Sequence, residues 1–234
     1  MKPLLLITRP AEDARRTAAA VAIAGFQPLV APLLRIDALD WKPPAGEIDA
    51  LLFTSPQGPR HCSGLHPSLA QLPAYAVGAA TARAATAAGF CVVSTGDRDG
   101  AASLALAAQD GRRRLLHPCG EDVTDTAVPV DLEVVRIPVY RAVLADALPP
   151  SAKAALAGAA ACATLLYSAR TAQCFAALVD SAGLSRRLLR IACLSSAVAG
   201  AAGPHWLAVA TAERPSTDAL LAATGTLWQS RAHG

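Results

Sequence analysis

Hydroxyl side chains stand where the short apolar runs of this chain end. Thr8 follows Leu4-Leu5-Leu6-Ile7, and Thr54-Ser55 follows Leu51-Leu52-Phe53. Ser168 follows Leu165-Leu166-Tyr167, and Ser195-Ser196 follows Ala192-Cys193-Leu194. Small residues, Gly58, Gly78 and Ala169, open the helix-like stretches that come next. If the runs are parallel strands, these positions line the carboxyl edge of a sheet, where α/β proteins hold ligands. Helix N-termini at such an edge offer backbone N–H groups and a partial positive charge, which suit carboxylates. Any one hydroxyl is explained as a helix cap; the repeated placement in both halves of the chain points to a binding edge.

Other chemistries lack their residues. The sequence has no GxGxxG or GxxxxGK phosphate loop and no GxSxG nucleophile turn. Its six cysteines form no CxxC pair and no zinc spacing, and they are expected to be reduced, mostly buried thiols. His61 and His66, five apart in a Gly/Pro/His stretch, fall off a common helical face and do not read as a ligand pair. His117, heading Pro118-Cys119-Gly120, has the chemistry of a general acid or base but reads first as a polar strand end. Glu121 with Asp122 and Asp97 with Asp99 read as solvated loop carboxylates. No metal and no cofactor is expected.

The elements that must position these residues repeat. Leu51–Ser55 returns at Leu165–Ser168 (offset 114), Ala76-Val77-Gly78 at Ala192-Cys193-Leu194 (116), and Ser103–Ala108 at Asp218–Ala223 (115). Strands are predicted at Leu4–Thr8, Pro28–Leu34, Leu51–Thr54, Ala74–Val77, Cys91–Ser94, Leu115–His117, Val134–Tyr140, Ala163–Tyr167, Ile191–Leu194 and Ala208–Ala210. Alanine-rich helices are predicted at Pro10–Gly25, Ala79–Ala88, Ala101–Gln109, Ala169–Ser181, Ser195–Ala202 and Thr217–Ala223. Gly25, Gly89 and Gly183 serve as helix stops, and Ser216 or Thr217 as a cap. The fold class that follows is α/β: two similar doubly wound parallel-sheet domains with a cleft between them. The opening strand–helix–strand, Leu4 to Leu34, has its own echo at Leu115 to Val139. The halves are therefore either sequential, or the N-terminal unit completes the C-terminal half.

Composition narrows the partners. The chain has 234 residues, enough for two cores, with 53% hydrophobic and 17% charged residues, which argues against general disorder. Net charge is +3, and no basic stripe with interleaved aromatics suggests nucleic acid. Arg112-Arg113-Arg114 reads as a solvated strand start. The modest positive balance suits an anionic small molecule. The opening Met1–Arg9 has no signal-peptide pattern and no apolar segment approaches a membrane span, so a soluble cytoplasmic protein is expected.

Across most of its length the chain resembles the uroporphyrinogen-III synthase family. Leu4–Pro10 with Gly25 and Pro32, Asp49–Pro56, Tyr75–Ala82, Pro118-Cys119-Gly120, Val139-Tyr140-Arg141 and Ala212–Ser216 match that family's motifs in order. Two departures stand out: Ala197 replaces a threonine common in the family, and Pro56-Gln57-Gly58-Pro59 is a broken helix start. The resemblance implies the interleaved arrangement: residues 1–34 plus 145–234 as one discontinuous domain and 35–144 as an inserted domain. It also implies a two-stranded connector near Leu33–Ile36 and Ile137–Tyr140.

The same resemblance implies the reaction, with no cofactor or metal. Hydroxymethylbilane, a linear tetrapyrrole with eight carboxylates, loses its hydroxyl as water and closes to uroporphyrinogen III with ring D inverted. Tyr140, matching the family's connector tyrosine, is the implied catalytic residue. Arg9, Ser55, Gly78, Thr81, Ser168, Ala169, Ser195, Ser196 and Arg214 are the implied substrate-binding residues, with Arg141 and Arg170 as further charge partners. A monomer is expected, acting on substrate handed over from the upstream deaminase, with no nucleic acid or membrane partner. The rival reading is a non-catalytic two-domain binding or sensor protein for an anionic tetrapyrrole-like ligand.

Overall fold

A computed structural model describes residues 2–62, 67–96, 100–123, 126–158 and 161–231. In chain order the elements are β1 (Leu4–Ile7), α1 (Ala11–Ile23), β2 (Gln27–Val30), β3 (Leu34–Ala38), β4 (Ala50–Phe53), α2 (Gln57–Cys62), α3 (Pro67–Ala70) and β5 (Pro73–Val77). They continue with α4 (Ala79–Ala87), β6 (Cys91–Gly96), α5 (Gly100–Gln109), β7 (Arg114–Gly120), β8 (Glu133–Leu144), α6 (Pro150–Gly158) and β9 (Cys162–Leu166). The last are α7 (Ala169–Ser181), β10 (Arg190–Cys193), α8 (Ser196–Ala202), β11 (Ala208–Thr211) and α9 (Thr217–Thr224).

The chain divides into two compact units, Met1–Arg35 with Val143–Gly234, and Ile36–Ala142. The first holds a parallel sheet in the order β11-β10-β9-β1-β2. The second sheet runs β6-β5-β4-β7-β8, with β3 added beyond β8. The two orders match strand for strand, with β9, β10 and β11 standing for β4, β5 and β6, and β1 and β2 for β7 and β8. The echo of Leu4–Leu34 in Leu115–Val139 is thus a topological one.

β3 and β8 carry the chain across the unit boundary. The Leu39 N–H donates to the Val139 carbonyl and the Ala145 N–H to the Leu33 carbonyl, both at 3.0 Å. One strand's numbers rise as the other's fall, so this pair is antiparallel.

Each sheet is apolar on both faces, as parallel strands covered by helices must be. In the first unit Leu6, Leu166, Ile191 and Cys193 face the core containing Phe175 and Val179 of α7, while Leu5, Ile7, Leu165 and Ala192 face Val21 of α1 and Leu220 of α9. In the second, Leu51, Phe53 and Leu116 share a core with Cys62 of α2 and Ala85 of α4, and Leu52, Tyr75 and Leu115 share one with Leu104 of α5. Alternation along each strand thus produces the two layers. Fully burying one of these large side chains contributes about 1.5–3 kcal/mol.

Several expectations are corrected. The strand predicted over Pro28–Leu34 stops at Val30, and a separate strand begins at Leu34. Helices α2, α3 and α6 join those predicted from the sequence. The expectation of mostly buried thiols holds: all six are free, Cys62, Cys119, Cys162 and Cys193 are buried, and Cys91 is exposed on β6. Arg114 is not merely solvated: its Nε bonds Glu133 at 2.9 Å and its Nη1 the Ala45 carbonyl at 2.8 Å. His66, Asp97 and Asp99 lie outside the described residues. Among those residues no helix is long and apolar enough to cross a membrane.

Candidate active site

In the second unit, strands build outward from β4 on one side through β5 and from β7 on the other, so the sheet's switch point lies between β4 and β7. Open α/β sheets bind their ligands outside the carboxyl ends of such a pair. Those ends carry Thr54-Ser55 and His117–Gly120. Thr54 Oγ1 and His117 Nε2 are hydrogen-bonded at 2.9 Å. The Ser55 hydroxyl accepts the Gln57 N–H at 3.3 Å and lies close enough to the Tyr140 phenol to lower its pKa.

Tyr140 is half-buried on β8. Burial raises its pKa above the ordinary phenol value, the nearby Ser55 hydroxyl opposes that rise, and Cys119 adds to it. Gly120 lies against its ring: a Cβ there would come within 3.0 Å of Cε2 and Cζ and 3.1 Å of the hydroxyl. The His61 ring is 5.7 Å from the Tyr140 ring, centroid to centroid, at an interplanar angle of 32°. Only a residue without a side chain fits at Gly58 as well, where a Cβ would stand 2.6 Å from the Pro118 carbonyl oxygen. Glycine therefore opens α2 because the helix start presses on β7.

Gly78 and Thr81 follow β5 along the same edge. Gly78 has φ 81°, a left-handed backbone that glycine tolerates. Its N–H already donates to the Gly96 carbonyl at 2.8 Å, so this amide is committed within the sheet edge. In the first turn of α4 the N–H groups of Ala79 and Ala80 are the ones that point outward from a helix start. Thr81 is 3% exposed and faces inward.

The first unit repeats this edge with serines. Ser168, Ser195 and Ser216 cap α7, α8 and α9, accepting the N–H groups of Thr171 (3.2 Å), Val198 (3.4 Å) and Ala219 (3.2 Å). Here the switch point lies between β9 and β1. The Thr8 hydroxyl crosses it to the Leu165 carbonyl at 2.8 Å. Arg9 stacks over Tyr167, with its guanidinium carbon 4.5 Å from the ring centroid, and pairs with Asp13 at 3.5 Å. Thr17, Thr217 and Arg9 surround the buried Tyr167 hydroxyl, none in strict hydrogen-bond geometry, and burial raises that phenol's pKa. Ser196 and Ala169 are exposed in the first turns of α8 and α7, and Arg214 is exposed after β11.

Ser55 and Tyr140 are therefore in contact, and Gly78 and Thr81 belong to the next turn of their edge. Arg9, Ser168, Ala169, Ser195, Ser196 and Arg214 share the carboxyl edge of the other sheet. The sequence marks Thr54 as one of the strand-end hydroxyls but assigns no role to Gly120 or Tyr167, and it places His61 and His117 outside the site. The signal for His117 was a single polar residue closing the otherwise apolar Leu115-Leu116 run.

The family model described as HEM4, uroporphyrinogen-III synthase HemD, matches residues 15–222. The chain belongs to the uroporphyrinogen-III synthase family. It is accordingly a cyclising lyase of tetrapyrrole biosynthesis, which displaces the binding-protein reading. The fold is similar to that of uroporphyrinogen-III synthetase from Helicobacter pylori 26695, with a TM-score of 0.66 at 16% identity over 97% of this chain and 100% of that one. A mutant synthase from the extremely thermophilic bacterium Thermus thermophilus aligns at a TM-score of 0.48 and 18% identity, over 97% of this chain and 99% of that one. No curated protein sequence matches. Where the family often carries threonine, the exposed Ala197 stands in the first turn of α8, one residue after Ser196.

Proposed function

We propose that Tyr140 supplies the proton on which the synthase reaction of this chain turns. Hydroxymethylbilane loses its terminal hydroxyl when the carbon–oxygen bond breaks. The phenol proton leaves with the oxygen as water, and a delocalised azafulvene cation remains opposite a tyrosinate. Ring D attacks that cation through its substituted carbon, giving a spiro intermediate. One carbon–carbon bond of the spiro centre breaks, and the chain recloses with ring D reversed. The proton lost as the last pyrrole regains aromaticity returns to the phenolate, so the net change is loss of one water.

The observation that supports this role is the phenol's setting: half-buried, protonated at neutral pH, beside the Ser55 hydroxyl and packed on Gly120. A general acid need be no stronger when the cation it helps create is itself stabilised by pyrrole nitrogen. Substrate carboxylates are held by neutral donors: the hydroxyls of Ser55, Ser195 and Ser196, and the amides at the starts of α4 and α7, including Ala169. A serine that accepts a helix N–H keeps its own O–H to donate, which lets Ser195 cap and bind together; Ser168 does the same when Thr171 Oγ1, 2.9 Å away, is the donor of their shared bond. Arg9 and Arg214 add charge. Thr81, being buried, holds the α4 start. We further propose that the enzyme works as a cytoplasmic monomer, receiving its unstable substrate from the deaminase that makes it.

The test is an isomer assay. Hydroxymethylbilane is generated by the deaminase, the protein is added, and the oxidised porphyrins are separated. We expect isomer III from the native chain and a shift toward isomer I with Tyr140→Phe, because unassisted closure leaves ring D uninverted. Isomer III formed at the native rate by folded Tyr140→Phe would remove Tyr140 from the reaction.

A further inference from the structure

The β4–β7 seam is where the second unit's sheet comes apart. The backbone ladder between them pairs Ala50 with Leu115 and Leu51 with Leu116, whereas β4 stays paired with β5 through Phe53 opposite Ala76. Past Leu116 no further backbone pair joins these two strands, whose carboxyl ends flank the switch point. The hydrogen bond between His117 Nε2 and Thr54 Oγ1, at 2.9 Å, spans that opening. In the first unit the equivalent seam is tied by Thr8 Oγ1 to a backbone carbonyl, so the second unit uses an imidazole at the place where the first uses a hydroxyl.

What stands on either side of this bond is the Tyr140 cradle. Thr54 adjoins Ser55, whose hydroxyl meets the phenol. His117 is three residues before Gly120, which lies against the Tyr140 ring, and one before Pro118, whose carbonyl sets the position of Gly58 and the start of α2. The imidazole is 4% exposed. Burial first and Arg136 second push its pKa down to about 4, so at neutral pH it is uncharged and either tautomer can complete the bond with a hydroxyl.

We infer that His117 is a positioning residue of this synthase: through Thr54 it holds Ser55 and Gly120 at the spacing that seats the Tyr140 phenol. It rests on the assignment of proton transfer to Tyr140. A seam widened at this point moves the phenol relative to the leaving hydroxyl while leaving the carboxylate contacts of the other strand ends in place. Ser55 is one carboxylate donor among several, so loss of the tie is read far more in kcat than in KM.

The test pairs both ends of the bond. His117→Leu and Thr54→Val each remove it, and His117→Gln and Thr54→Ser each keep a polar partner. We expect His117→Leu and Thr54→Val each to lower kcat about tenfold with KM changed less than about twofold, the loss of one buried hydrogen bond acting on the transition state alone. The double variant should be no slower than the worse single one, and each conservative variant should recover most of the loss. Should His117→Leu fail to fold, Thr54→Val against Thr54→Ser, with the imidazole intact, decides alone. The inference is overturned if Thr54→Val keeps native kcat, if the two losses multiply, or if KM rises while kcat holds. The coupling between His117 and Thr54 does not require Tyr140. If Tyr140→Phe retains native turnover while that coupling persists, the proton-donor assignment fails and the seam stands.

Discussion

Tyr140 and His117 are shifted in opposite directions by the same cause. Burial disfavours the charged form of each, which raises a phenol and lowers an imidazole. For Tyr140 the consequence is an acid that keeps its proton across the physiological range. We expect kcat of the native chain to show no falling limb from this group below about pH 10, and Tyr140→Phe to cost about 10²-fold in kcat, the lower end for a lost general acid. Stopped-time isomer assays across pH measure both. For His117 the consequence is for stability. Its folded pKa of about 4 lies below the unfolded 6.5, so the unfolded chain takes up the proton first as pH falls. The stabilising preference for neutral imidazole is complete above about pH 6.5 and is lost between there and about pH 4, by ~3 kcal/mol at most. Denaturant unfolding over that window should show a shallower decline for His117→Gln than for the native chain. Equal slopes would mean the imidazole is protonated without penalty.

At the scale of elements, what was legible followed from continuous apolar runs and glycine stops. Gly25, Gly89 and Gly183 do end or follow their helices with positive φ, and Ser216 caps α9 as the sequence suggests. What stayed hidden has specific reasons. β3 reads Leu-Arg-Ile-Asp-Ala, an alternating edge strand that begins where the strand predicted over Pro28–Leu34 ends. α2 carries Gly58 and Pro59 in its first turn, which lowers local propensity although proline is tolerated near a helix start. The strand-end hydroxyls could be read as a set. The tie between Thr54 and His117, 63 residues apart, could not, because no local pattern encodes which two strand ends become neighbours. Helix starts supply the test at this scale. Gly58→Ala would put a methyl 2.6 Å from a backbone carbonyl, and we expect a loss of about 1–3 kcal/mol as α2 is pushed from β7. Ser168→Ala, removing the α7 cap, should cost about 1 kcal/mol. Thermal unfolding measures both losses, and turnover separates the two variants, since only Gly58→Ala should also lower kcat by displacing Ser55.

The two sheets of the whole molecule have the same strand order, β9 to β11 with β1 and β2 in one and β4 to β8 in the other, although the chain enters the first and then interrupts it. Both therefore present the same kind of edge: strand ends carrying hydroxyls, followed by helix starts. This argues for recognition of a polyanion by many weak, neutral donors instead of a few strong cations. The charge balance agrees. Net charge is only +3, and Arg9, which follows Thr8 at the first unit's switch point, is already paired with Asp13 and stacked on Tyr167. Neutral donors and helix ends act over short distances and are screened less by added salt than exposed cations facing a ligand of eight carboxylates would be. We expect KM for hydroxymethylbilane to rise less than about threefold between about 50 and 300 mM salt, an interval over which the Debye length shortens by more than half. Arg9→Gln should raise KM about twofold to fivefold and leave kcat near native, as the loss of one partly neutralised charge would. A rise of tenfold or more with salt, abolished by Arg9→Gln, would mean instead that arginine pairing dominates binding and that the strand-end serines serve only as helix caps.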